Sequence, residues 1–390
     1  MTTLAWTGLA LYVVPPLLTV LAYGAYPIVL QVLARRRARP TGEDPAEWPH
    51  VTISIPVYNE AGAIAETIET LLAADYPPDR RHIVVVSDAS SDDTDRIVTG
   101  FADRGVQLVR MPARAGKTAA ENEAGKHLRG EIVVNLDATI RIPPEAIKAL
   151  VRAFKDPDVG VASGRDVSVS NLASEQNRDE SSYVGYEMWV RGLETRCGSI
   201  VGASGCFYAI RRSLYSSIFP EALSRDFASP LIAREHGYRS VSVDEAICWV
   251  PRTRSLKAEY RRKVRTMTRG LETLWYKRHL LNPFRYGRFA VFLLCHKLLR
   301  WSVFLSLPLA VLGLVLLALD STVGLALLLV HAVGLALGAA AFFWPQHRRL
   351  PRAMAVLGFA VSIHVAGLVA WIRAFRQELN PVWEPTRRAE

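Results

Sequence analysis

The sequence contains little cysteine, and none in a pattern typical of metal binding. Its four cysteines, Cys197, Cys206, Cys248 and Cys295, stand far apart, without CxxC spacing or paired histidines. This spacing excludes a cysteine-based zinc site and provides no disulfide framework. Reduced thiols in a cytoplasmic domain are therefore expected.

A complete P-loop is also missing. RAGKT at residues 114–118 resembles the end of that motif, but Met111 stands where its first glycine belongs. The sequence therefore excludes a P-loop nucleotidase. Lys117, at the start of a predicted helix, stays a candidate contact for an anion.

Acidic residues are fewer than basic ones, 37 against 47, and the formal net charge is +10. Basic clusters at residues 35–39 and 347–352 flank apolar runs, where Lys and Arg mark the cytoplasmic side of a membrane span. The chain lacks the interleaved aromatic and basic residues of an RNA-binding sheet. Nucleic acid is not an expected partner.

Long apolar runs lie at both ends of the chain and predict an integral protein of the cell or inner membrane. Residues 7–34, with three prolines that should kink the helix, are long enough to span a bilayer, and the arginines that follow predict a cytosolic domain after them. Residues 301–319, 323–343 and 353–372 predict three more spans, and 285–300 predict an amphipathic helix in the interface. Three later spans would place the tail, 373–390, outside, whereas its arginines favour the inside. The sequence leaves this conflict open.

Residues 35–284 alternate between strand and helix patterns. The apolar strand at 51–57 precedes a helix, and the same alternation recurs from His82, Val106 and Glu131. Such a βαβ series predicts an α/β, Rossmann-like domain with a mostly parallel sheet covered on both faces. Further strands are expected at 159–163, 205–210 and 238–243, with a polar helix near 181–195.

Acidic residues stand where the predicted strands end. Asp88 closes one strand, Asp137 closes another, and Asp226 follows in SRDF. Because the carboxyl ends of parallel strands share one edge, Asp88 and Asp137 are expected at a ligand crevice. A hard cation such as Mg²⁺ or Mn²⁺ binds carboxylates together with substrate phosphates, so Asp137 is a candidate metal ligand. Helix caps and turns are the plain alternative for each acid.

An ordered set of segments resembles a known enzyme family. VTISIPVYNE, VVVSDASSDDT, RAGKTAAEN, VVNLDAT, GASGCFYAIRR, SRDFASPLIAREHGYRSV and RRKVR occur in the order seen in family 2 inverting glycosyltransferases. The chain is similar to the membrane-embedded branch that includes chitin, hyaluronan and cellulose synthases, over about residues 51–269. The resemblance implies a GT-A fold, a nucleotide-sugar donor, Mg²⁺ or Mn²⁺, and a polysaccharide or lipid-linked acceptor at the membrane.

The resemblance also implies roles for individual residues. Asp226 would be the general base and Asp137 the metal ligand. The donor would be held by Tyr58, Glu60, Asp88, Lys117, Asp137 and Arg265. The acceptor would be held by Gly205, Cys206 and Arg262.

Two positions depart from the family pattern. Thr139 replaces the second acid of the DxD motif, and residues 262–266 keep only the arginine of QxxRW, as Arg265. Two functions therefore stay open. One is transfer from a nucleotide sugar, expected to be a UDP-linked hexose or N-acetylhexosamine, with inversion. The other is a catalytically impaired nucleotide-binding relative that scaffolds or regulates a partner synthase.

Overall fold

The chain folds as an apolar helix, an α/β domain and three further apolar helices. The computed structural model describes residues 2–34, 44–169, 178–216, 218–251, 256–344 and 350–378, without the side chains of 178–183. The basic residues 35–39 and 347–349 and the end of the predicted tail, 379–390 with Arg387 and Arg388, lie outside the described residues.

A seven-stranded sheet forms the centre of the α/β domain. Its strands are β1 (Val51–Val57), β2 (Arg81–Ser87), β3 (Val106–Arg110), β4 (Ile132–Leu136), β5 (Val159–Val169), β6 (Phe207–Arg211) and β7 (Arg239–Pro251). Their order is β3-β2-β1-β4-β6-β5-β7. β6 alone runs antiparallel to its neighbours, β4 and β5. The predicted mostly parallel α/β sheet is confirmed.

Helices connect and cover these strands. The domain contains α3 (Ile64–Leu72), α4 (Thr94–Thr99), α5 (Lys117–Ala124), α6 (Ala146–Arg152), α7 (Arg178–Cys197), α8 (Arg225–Glu235) and α9 (Leu256–Tyr276). The N-terminal apolar helix comprises α1 (Thr3–Thr19), a π-helical segment (Val20–Ala25) and α2 (Tyr26–Ala34). After the domain come α10 (Pro283–Tyr286), α11 (Arg288–Leu293), a second π-helical segment (Leu294–Leu299), α12 (Arg300–Asp320), α13 (Thr322–Phe342) and α14 (Arg352–Phe375).

The central strands of the sheet are fully buried. Every residue of β1 and β4 is buried. Because helices cover both faces of the sheet, the polar residues Thr52, Ser54 and Asn135 of these strands are buried as well. The first core cluster packs these strands against α3 and α6 through Ile64, Ile68 and Leu150.

In the described part of the chain, four helical runs are long and apolar enough to cross a membrane: Thr3–Ala34, Arg288–Asp320, Thr322–Phe342 and Arg352–Phe375. Each run overlaps one of the four predicted spans, although the second run begins at Arg288 and the predicted span began at 301. The segment expected to lie in the interface, 285–300, is for the most part continuous with α12, because α11 passes through the second π-helical segment without a break. Its position relative to a bilayer stays a prediction.

Close backbone approach joins the N-terminal helix to α12. A Cβ atom added to Gly313 would lie 2.5 Å from the Gly8 carbonyl oxygen and 2.6 Å from the Tyr12 nitrogen. Only glycine fits such a crossing, and small residues are the usual means of helix contact in lipid. At the N-terminal end of α1, the Thr2 hydroxyl donates to the Asp320 carboxylate at 2.7 Å.

A second core cluster joins the N-terminal helix to the α/β domain. Tyr26 and Leu30 of α2 pack in it beside Val190 of α7, Leu231 of α8 and Leu293 of α11. The helical runs at the two ends of the chain therefore meet beside α7 and α8.

Candidate active site

The site lies where several strands end at one edge of the sheet. Asp137 directly follows β4, and Cys206 directly precedes β6, which runs the opposite way. The antiparallel direction of β6 therefore brings its start beside the end of β4. The Asp137 amide donates to the Cys206 carbonyl at 2.9 Å, which fixes the two loops against each other.

A cavity of about 440 Å³ opens at this edge. Eight of the ten predicted site residues line it: Glu60, Lys117, Asp137, Gly205, Cys206, Asp226, Arg262 and Arg265. The sheet edge, α8 and α9 each contribute to this set, so segments far apart in sequence meet around one cleft. Tyr58 and Asp88 are outside the lining set.

Lys117 connects three loops: the loop after β3, the loop after β4 and the loop before β6. Its ammonium group lies 2.6 Å from the Asp137 carboxylate and donates to the Gly205 carbonyl at 3.0 Å. Burial disfavours the charged lysine, but the carboxylates of Asp137, Glu121 and Asp226 outweigh this effect and raise the pKa of Lys117 above its ordinary value. A fixed positive charge therefore stands in the cleft at neutral pH.

Asp226 lies in the first turn of α8 with its carboxylate directed toward the loop before β6. One oxygen accepts from the Ser224 hydroxyl at 2.6 Å. The other lies 3.1 Å from the position of a Cβ atom added to Gly205. Because Gly205 has no side chain, this second oxygen can face the cleft and accept a proton there.

Asp88 is buried and holds a loop. Its two oxygens accept from the backbone amides of Ala115 and Gly116, at 2.7 and 2.8 Å. Gly116 has a φ of +103°, a conformation that favours glycine, immediately before Lys117 begins α5. Asp88 therefore positions the loop that presents Lys117. The Tyr58 ring stacks under the Arg114 guanidinium of the same loop, with 3.9 Å between the guanidinium carbon and the ring centre.

One face of α9 carries arginines into the cleft. Arg262, Arg265 and Arg269 all line the cavity, and the spacing of three and four residues places them on one side of the helix. Arg269 donates to the Thr118 hydroxyl at 2.6 Å, so it also ties α9 to α5. Sequence reasoning missed Arg269, although its helical spacing from Arg262 and Arg265 was a usable signal.

Glu121 is a second acid that sequence reasoning missed. It lies one turn after Lys117 on α5, lines the cavity and is buried. Burial raises the pKa of Glu121, while the nearby Lys117 and Arg225 charges lower it less strongly. No single-sequence signal separates Glu121 from the other acids of KTAAENEA, because its burial depends on the packing of α8.

The residues at Asp137 fit a divalent ion only in part. Among the described residues, no group of three or more His, Cys, Asp or Glu side chains could hold a metal. Thr139 also lines the cavity but carries no charge, and Lys117 pairs with Asp137. This set fits an ion that arrives on a diphosphate and takes one carboxylate from the protein, which is common for Mg²⁺.

The cavity also extends toward the apolar helices, where it meets a buried polar cluster. Glu187 and Arg191 of α7 and His296, Lys297 and Arg300 of the C-terminal helical run line this part, together with Tyr23, Trp301, Phe304 and Ile363. Sequence reasoning predicted the polar helix but not the cluster.

Comparisons with known proteins relate part of the chain to glycosyltransferases. A family model for the glycosyl transferase family 2 matches residues 52–219. The poly-beta-1,6-N-acetyl-D-glucosamine synthase of Staphylococcus epidermidis is 25% identical over 233 residues, which cover 57% of this chain and 55% of that protein. The undecaprenyl-phosphate 4-deoxy-4-formamido-L-arabinose transferase of Klebsiella pneumoniae is 28% identical over 200 residues, 50% of this chain and 58% of the relative. The chain spans about half the length of these curated relatives.

A solved structure resembles nearly the whole chain. The mannosyltransferase PcManGT from Pyrobaculum calidifontis, in complex with GDP-Man and Mn²⁺, superposes with a TM-score of 0.73 at 22% identity. The match covers 96% of this chain and 99% of the other, so the domain and the apolar helices share one fold with it. The family match covers the strands from β1 to β6, so residues 52–219 of this chain form a glycosyl transferase family 2 domain, within a sheet of GT-A fold.

Proposed function

We propose that this chain transfers a sugar from a nucleotide sugar to a polysaccharide or lipid-linked acceptor at the membrane, with inversion of the anomeric carbon. The observation that carries the proposal is the convergence of Asp137, Lys117 and Asp226 around one cavity. The donor we expect is a UDP-linked hexose or N-acetylhexosamine. We expect the α/β domain to face the cytoplasm.

The proposed reaction is a direct displacement. A hydroxyl oxygen of the acceptor attacks the anomeric carbon while the bond from that carbon to the diphosphate breaks, and the nucleoside diphosphate leaves with the bonding electrons. Asp226 accepts the hydroxyl proton, since its cleft-facing oxygen is unobstructed at Gly205. No covalent intermediate on the protein is required.

The leaving diphosphate requires positive charge. Lys117 supplies a fixed ammonium group, and Arg265 reaches the same cavity from α9. Arginine is suited to this role because its guanidinium binds phosphate oxygens in a bidentate manner. A Mg²⁺ or Mn²⁺ ion bound with the donor, held through Asp137, would offset the charge that develops on the diphosphate.

The alternative role, a nucleotide-binding scaffold without turnover, rests on Thr139 and Thr266. The position of Asp226 favours catalysis, because one of its oxygens faces the cleft beside Gly205, where it can accept a proton from an acceptor hydroxyl. A screen of nucleotide sugars, followed by release of nucleoside diphosphate from purified protein in detergent with a lipid extract, separates the two roles.

We expect release with at least one donor, and a lower rate when EDTA removes divalent ions. Donor binding without release across the whole panel would contradict the enzymatic proposal. Equal rates with and without EDTA would contradict the proposed ion at Asp137.

A further inference from the structure

A buried cluster of charges lies at the end of the cavity that meets the apolar helices. The Glu187 carboxylate lies 2.8 Å from His296 Nε2 and 2.9 Å from an Arg300 nitrogen. The Glu194 carboxylate lies 2.6 Å from His296 Nδ1 and accepts from the Tyr26 hydroxyl at 2.6 Å. α7 thus meets both the N-terminal helix and the helical run from Arg288 to Asp320 through these contacts.

The cluster contains more positive than negative charge. Each ring nitrogen of His296 faces a carboxylate oxygen, an arrangement that needs a proton on both nitrogens or one on a carboxylate. The total charge is the same in either case. Even with Arg300 left out of the count, His296, Lys297 and Arg191 supply three positive charges against two carboxylates.

The excess positive charge is buried, and removing it from water costs free energy. Arg191 is 7% exposed and His296 is 2% exposed, and both line the cavity. The Glu187 carboxylate offsets the charges of Arg191 and Lys297 only in part, since each of these groups lies 3.5 Å from it. Buried charges that are not well paired destabilise a protein, so an anion bound here would be favoured.

The guanidinium group of Arg191 and the ammonium group of Lys297 are placed to bind such an anion. Its guanidinium contacts are long, 3.4 Å to the Ser163 hydroxyl and 3.3 Å to the Ala203 carbonyl. Its Nε is buried and makes no hydrogen bond in the described part of the chain, and the Glu187 carboxylate lies 3.5 Å from it. Lys297 lies beside Gly202, where an added Cβ atom would be 3.4 Å from its ammonium nitrogen.

Apolar side chains surround the same end of the cavity. Trp301 and Phe304 of α12 and Ile363 of α14 line it, and both helices belong to runs long enough to span a membrane. A ligand bound here would have an anionic group among the cations and an apolar part along these helices.

We propose that this end of the cavity binds the phosphate or diphosphate of a lipid-linked acceptor, with Arg191 and Lys297 as its ligands. The inference rests on the proposed glycosyl transfer and names its acceptor as a lipid phosphosugar. With its phosphate held at the cluster, the acceptor sugar extends through the same cavity toward Asp226. A growing polysaccharide without a phosphate has no group that needs these cations.

The test is equilibrium binding of a long-chain polyprenyl monophosphate to the full chain in nanodiscs, without donor. We expect the wild-type protein to bind the phosphate far more tightly than the corresponding prenol, and Lys297→Gln to weaken binding about ten- to one-hundredfold. Lys297→Arg should retain most of the affinity. The matched control is Lys277→Gln, which removes a similarly buried lysine from an ion pair with Glu235 outside this cavity and should leave binding unchanged.

Equal affinity for the prenol and its phosphate would overturn the proposal, as would unchanged binding by Lys297→Gln. Competition by inorganic phosphate at the same concentrations would show a site for free anions and not for a lipid. Competition by a nucleoside diphosphate would place the donor at the cluster and would also overturn it. Because this assay needs no turnover, its outcome is separate from that of the donor screen.

Discussion

At the residue scale, Lys117 links the acids of the cleft: its ammonium group lies 2.6 Å from Asp137, and Asp226 is among the carboxylates that raise its pKa. Asp137 and Asp226 were found because each belongs to a recognisable segment. Glu121 and Arg191 were missed because their burial comes from the packing of α5 and α7 against distant helices. Asp88 was expected to contact the donor, but the described structure directs its carboxylate to the amides of Ala115 and Gly116. Its contact with a nucleotide base stays a prediction.

Asp88→Asn should weaken donor binding by loosening the Lys117 loop. The amide would present an NH₂ group to one of two backbone N–H donors, and a buried donor left unsatisfied costs about 1–3 kcal/mol. Calorimetric titration with nucleoside diphosphate should show a lower affinity, together with a lower melting temperature. The control is Asp93→Asn, at an exposed aspartate paired with Arg96 on the surface. Unchanged affinity in Asp88→Asn would mean that the loop does not depend on this carboxylate.

At the element scale, β1 to β4 were predictable because short segments rich in Val, Ile and Leu that end in polar turns and alternate with helices are typical of parallel strands. The direction of β6 was not predictable from its own sequence, because it depends on which neighbours flank it in the sheet. That direction matters, since it brings Gly205 and Cys206 beside Asp137. The helix α9 carries its arginines at helical spacing, and its inward face follows from packing against α14 and α5.

Arg265→Gln should reduce kcat/KM roughly ten- to one-hundredfold, because it removes a charge-assisted contact with the leaving diphosphate. Steady-state rates of nucleoside diphosphate release would measure this loss. Arg261→Gln, at an exposed position on the same helix outside the cavity lining, should leave kcat/KM unchanged. Equal losses in the two variants would indicate a general effect of charge on α9 and contradict the assignment.

The α1 and α12 crossing gives a second test at this scale. Gly313→Leu should lower the melting temperature in detergent, since its side chain would meet the backbone of Gly8 and Tyr12. Overpacking of this kind costs about 1–3 kcal/mol. Gly334→Leu on α13, where an added Cβ meets nothing within 4 Å, is the control and should change the melting temperature little. Similar melting temperatures for the two variants would argue against the close crossing.

At the scale of the whole molecule, one cavity connects the sheet edge of the α/β domain with the helices that can span a membrane. The acids and Lys117 line it together with Arg191 and Lys297, which lie beside Ala203 and Gly202 of the loop before β6. Composition and apolar runs were sufficient to predict a membrane protein with an α/β domain. The continuity of the cavity could not be predicted, because it depends on how α7 packs against both helical ends of the chain.

The proposed transfer depends most on Asp226 as the base in a cleft that holds the donor. The most direct measurement compares wild-type protein and Asp226→Asn for donor affinity and for sugar transfer in a single turnover. We expect equal affinity and a transfer rate lower by at least about a hundredfold, while Asp103→Asn at an exposed site retains both. Near-normal transfer by Asp226→Asn would contradict the role of Asp226 as the general base.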